Sequence, residues 1–87
     1  METAIVIRKR AISSRPQWAL IIHSINGYCV CVVDRAIEIV EGQVLYRHAL
    51  QNRAWILSGS ESLFPANITG GMSLNEAEET LNYIAAL

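Results

Sequence analysis

The chain has 87 residues, 52 % of them hydrophobic and 17 % charged, with a formal net charge of −1. So much apolar content with so little charge excludes a disordered chain, and the length suits one folding unit over residues 1–87 with a single core. The near-neutral balance also sets it apart from dedicated nucleic-acid binders, which are basic as whole domains.

The charge is unevenly divided. Residues 1–35 carry a net +3 and residues 36–87 a net −4. The longest apolar runs, Trp18–Ile22 and Tyr28–Val33, fall far short of the roughly 20 residues that span a bilayer. At the start of the chain the apolar residues precede the basic cluster, the reverse of a secretory signal, so a cytoplasmic protein with no membrane partner is expected.

In chain order, "TAIVIRKRAI" (3–12) begins β-branched and then alternates with charge, which predicts an edge strand. "SSRP" (13–16) is a turn. "QWALIIHSI" (17–25), Asn26-Gly27 and "YCVCVVD" (28–34) predict a hairpin, because Asn-Gly suits a two-residue turn with positive φ at both positions. That turn sets Ile25 opposite Tyr28, Ser24 opposite Cys29, His23 opposite Val30 and Ile22 opposite Cys31. "AIEIVE" (36–41), "QVLYRHAL" (43–50) and "AWILS" (54–58) read as three more strands, with a helix through 43–53 as the competing reading. Residues 59–72 read as a loop in which Leu63 and Phe64 plug inward.

Ser73 and Glu76 form an S-x-x-E capping box, so a helix closes the chain. Leu74, Ala77, Leu81, Ile84 and Ala85 fall on one apolar stripe, while Glu76, Glu79, Asn82 and Tyr83 point outward and Glu78 lies at the border. The expected fold is therefore α+β: an antiparallel sheet of five or six strands, with the hairpin at Asn26-Gly27 and one C-terminal helix packed on one face.

Candidate chemistry is sparse. Cys29 and Cys31 share a strand face about 7 Å apart, too far for ordinary disulfide geometry, and C-x-C is not a zinc or thioredoxin spacing. His23 points to the opposite face, so both thiols read as small buried hydrophobes. Gly70-Gly71 lacks the Lys and Ser or Thr of a phosphate loop. Neither "SGSES" (58–62) nor His48 belongs to a recognisable nucleophile–base set.

Two surfaces remain. The acidic helix face of Glu76, Glu79 and Asn82, punctuated by Tyr83, suits contact with another protein or a second copy of the chain. Arg8, Lys9, Arg10 and Arg15 form a basic strip that suits nucleic-acid phosphates, or charges that keep a sheet edge from pairing. Elimination favours a small non-catalytic interaction module, without metal or cofactor, acting by stoichiometric binding. Phage- and mobile-element-type inhibitors of host machinery have this general character. The second expectation is a nucleic-acid-binding regulator that uses residues 8–15.

Overall fold

A computed structural model of the chain describes residues 2–25, 27–47, 54–57, 63–65 and 71–87. Strands β1 (Glu2–Ala11), β2 (Gln17–Ser24), β3 (Gly27–Asp34) and β4 (Val44–Arg47) form an antiparallel sheet in the spatial order β3-β2-β1-β4. Helix α1 (Leu74–Ala85) packs on one face, so the chain is α+β. Beyond β4, the backbone of Ala54–Leu57 and Leu63–Pro65 lies in ladder positions, with Leu45 opposite Leu57 and Trp55 opposite Phe64. Leu63–Pro65 thus lies extended inside the stretch expected as a loop. The inward plugging expected of Leu63 and Phe64 concerns side chains outside the description.

The β2–β3 register corrects the sequence expectation. Ser24 pairs with Gly27, His23 with Tyr28, Ile22 with Cys29, Ile21 with Val30 and Leu20 with Cys31. Gly27, with φ +105°, is therefore a ladder residue rather than a turn residue, and Asn26 lies outside the described residues. Each partner moves by two positions, so every side chain keeps its expected face, because side chains alternate with a period of two. A Cβ on Gly27 would meet the Gly71 Cα and the Met72 carbonyl oxygen, each at 3.4 Å. Here the chain leading into α1 bridges to β3 through the paired backbones of Tyr28 and Met72.

β1 departs from its expected place at the edge only in its first half, while residues 8–11 pair with β2 alone. Its apolar half, Glu2–Ile5, pairs with β4 as well as β2, so it lies inside the sheet and not at its edge. Local sequence could not show this, because β4 arrives from far along the chain. A β-bulge between Val6 and Arg8 then shifts the register. Ala4 and Val6 face the core built by Leu20, Ile22, Cys29, Cys31, Val33, Ile39 and Leu45. Strict alternation would carry Arg8 and Arg10 into that core. The extra residue at the bulge turns them to the helix side instead, where Ile12 joins Ala19, Ile21, Val30, Ala77 and Leu81.

Residues 36–41 are not a strand. The Asp34 carboxylate accepts from the Ala36 amide (2.8 Å) and the Ile37 amide donates to the Asp34 carbonyl (3.1 Å), a local turn that ends β3. The Ile37/Ile39 alternation that resembles a strand serves a loop whose two isoleucines close over the first core. Val44–Arg47 is a strand, and residues 48–53 of the competing helical reading lie outside the described residues.

The helix forms where its local signals place it. The Ser73 Oγ accepts from the Glu76 amide, and a Glu76 carboxylate oxygen accepts from the Ser73 amide, both at 3.2 Å. Ala77 and Leu81 are buried, and Ile84 packs beside them. At the far end the Ala85 carbonyl accepts from both the amide and the hydroxyl of Ser13, tying the helix to the β1–β2 turn. No described helix is long and apolar enough to cross a membrane.

Candidate functional site

The structure brings the two candidate surfaces together. Arg8 and Arg10, delivered to the helix side by the bulge, face the border of α1. The Arg8 guanidinium lies 3.7 Å from the Glu78 carboxylate, and the Arg10 guanidinium donates to the Asn82 side-chain carbonyl. With Leu81 these four residues line a shallow groove of about 130 Å³. Lys9 takes the opposite face, as the strand alternation requires. Its ammonium donates to the Ile39 carbonyl (2.9 Å) and sits 4.4 Å from the Trp18 ring. Arg35 approaches the same ring at 5.2 Å and donates to the Ile12 carbonyl. Arg15 is exposed on the β1–β2 turn and has no described partner.

These placements give the basic strip a structural role. Arg8 and Arg10 clamp the sheet to the helix, while Lys9 and Arg35 hold the loop and strand ends around Trp18. Each cation is still partly hydrated, so none of these contacts excludes a further anionic partner.

The acidic set divides in a similar way. Glu76 is used in the cap and Asn82 in the clamp, whereas Glu79 and Tyr83 are exposed, with no described partner. Tyr83 is 71 % exposed. Cys29 and Cys31 are buried thiols on the face away from His23, as expected. Among the described residues, no cluster of three or more histidines, cysteines or carboxylates is arranged to hold a metal ion. Gly71 (φ +79°) leads into the helix, while Gly70, His48 and residues 58–62 lie outside the described residues.

A third surface was missed in the sequence. The ladder registers align Tyr28, His23, Ile5 and Val44 in one row across all four strands, on the helix side but beyond its end. The His23 and Tyr28 rings stack with centroids 4.2 Å apart and planes 11° from parallel. Ile5 is 45 % exposed, and Ile25, beside the row, is 91 % exposed. The signal was present in part, since His23 and Tyr28 flank the turn. Only the sheet order brings Ile5 and Val44 alongside them. Comparison of the chain with protein-family models, curated proteins and solved structures finds no match.

Proposed function

We propose that the chain is a small non-catalytic protein-binding module that acts by stoichiometric occupation of a partner's surface. The observation that supports this is the row Tyr28–His23–Ile5–Val44, in which His23 and Ile5 are exposed and Tyr28 and Val44 half-buried. Aromatic and aliphatic side chains held rigid by a sheet lose little entropy on contact and make good interface anchors. Tyr83, Glu79 and the polar groups around them supply a second, more hydrated contact.

In this reading residues 1–87 act as one unit in the cytoplasm. Ala54–Leu57 and Leu63–Pro65 are its fifth and sixth strands, and occlusion of host machinery by a phage- or mobile-element-type inhibitor is the matching mode of action. The second reading, phosphate binding through residues 8–15, draws on the exposed Arg15 and the half-exposed Arg8. It is the weaker one, because the chain carries a net charge of −1, whereas dedicated nucleic-acid binders are basic as whole domains.

The test places a photo-cross-linking residue at position 5, 15 or 83 in turn, followed by light scattering of the reconstituted complex. The reading expects a protein adduct at position 5, a defined stoichiometry, and loss of the complex in Ile5→Glu. Adducts at position 15 alone, to nucleic acid, would replace it with the second reading.

A further inference from the structure

The outer edge of β1 changes character along its length. Glu2–Ile5 pair with β4, and Val6 exchanges backbone bonds with Gly42 and Gln43. Past the bulge, residues 8–11 pair with β2, and no described backbone group bonds to their outer side. The Ile12 amide donates to the Gln17 carbonyl on β2. By antiparallel alternation Arg8 and Arg10 also bond toward β2, so the N–H and C=O groups of Lys9 and Ala11 point outward. Such a row of backbone groups is a template for an added strand.

The side chains on this edge select what can be added. Arg8, 51 % exposed, and Arg10 open into the groove on the helix side, Lys9 lies on the other side, and Arg15 follows at the turn. Glu78 is the acidic residue that faces them, 3.7 Å from Arg8. The edge therefore stays positive. Antiparallel pairing of two copies about Lys9 would set Arg8 against Arg10 of the second copy and lysine against lysine, and like charges directly opposite are destabilising. A strand carrying carboxylates on its helix-side positions has the complementary pattern.

We propose that the outer edge of residues 8–11 accepts an extended acidic segment of a partner protein as an additional strand. Its main chain bonds to Lys9 and Ala11, and its alternate carboxylates enter the groove to meet Arg8 and Arg10. This surface is distinct from the row around His23, and the inference does not depend on that row.

The test is fluorescence anisotropy of the full chain with a labelled ten-residue peptide of alternating glutamate and valine. Removing the competing carboxylate in Glu78→Gln should tighten binding about threefold to fivefold, the scale of an exposed ion pair. Peptide N-methylation at every second residue, in the phase that faces the edge, should abolish binding without any change to the protein. Arg8→Glu combined with Arg10→Glu should reverse the preference toward a lysine–valine peptide. Equal binding of the N-methylated peptide would reduce the effect to simple charge attraction and overturn strand addition. So would failure of the glutamate peptide to bind, or a clear preference for a single-stranded oligonucleotide of the same charge.

Discussion

Leu81 is the side chain that most directly holds α1 on the sheet, and its truncation to alanine has a calculable effect. Leu81 is 2 % exposed and packs in the cluster with Ala19, Ile21 and Val30. Removing three buried carbons forfeits about 2.4 kcal/mol of transfer free energy, at about 0.8 kcal/mol per methylene. The sheet beneath is fixed by its ladders and cannot collapse into the space, so a cavity contribution brings the loss to about 3 kcal/mol. That is a large share of the stability of a domain this small. Urea unfolding followed by circular dichroism should show the midpoint falling by about 3 M at an unchanged slope of about 1 kcal/mol/M. Leu81→Met, which conserves volume, should lose less than about 1.5 kcal/mol, and Tyr83→Ala, on the exposed face, should stay within about 0.5 kcal/mol. A loss below about 1 kcal/mol for Leu81→Ala would refute the docking of α1 through this residue.

Ser73→Ala removes the acceptor for the Glu76 amide and should cost about 1 kcal/mol, read as a fall of about 4–8 °C in Tm. Deleting Ile7 removes the bulge residue and sets Val6 and Arg8 in succession opposite Ile22 and Ile21, so Arg8 and Arg10 keep the helix side; the expected result is a chain that still unfolds in one cooperative thermal transition, and loss of that transition would contradict the placement of the bulge. Cys29 and Cys31 are buried, so a thiol reagent should modify both only at the rate of unfolding, and fast reaction of either in native buffer would contradict their placement.

What the sequence made legible was local. The capping box, the apolar stripe of α1 and the opposite faces of His23 and the two cysteines depend on residues a few positions apart, and each is present in the structure. The hairpin strands were legible but their register was not, because Asn-Gly marks a turn without stating which residues leave the ladder. A two-position shift preserves the face of every side chain, so the conclusion about the thiols survived the wrong partners. The loop at 36–41 misled because two isoleucines at alternate positions look the same in a strand and in a loop that inserts both.

The candidate sites followed the same rule. Arg8 and Arg10 share a face by simple alternation, but their contact with Glu78 and Asn82 joins opposite ends of the chain. The row through Ile5 and Val44 needed the position of β4, which no local pattern encodes. The bulge left no sequence signal at all, yet it decides which way the two arginines point.

Amide hydrogen exchange of the isolated protein, read by NMR along residues 6–12, tests the open basic edge most directly. Slow exchange is expected at Val6, whose amide donates to the Gln43 carbonyl, and at Arg8, Arg10 and Ile12, whose amides face β2, with fast exchange at Lys9 and Ala11. Protection at Lys9 and Ala11 equal to that of Arg10 and Ile12 would mean the edge is already covered, and would contradict the open edge.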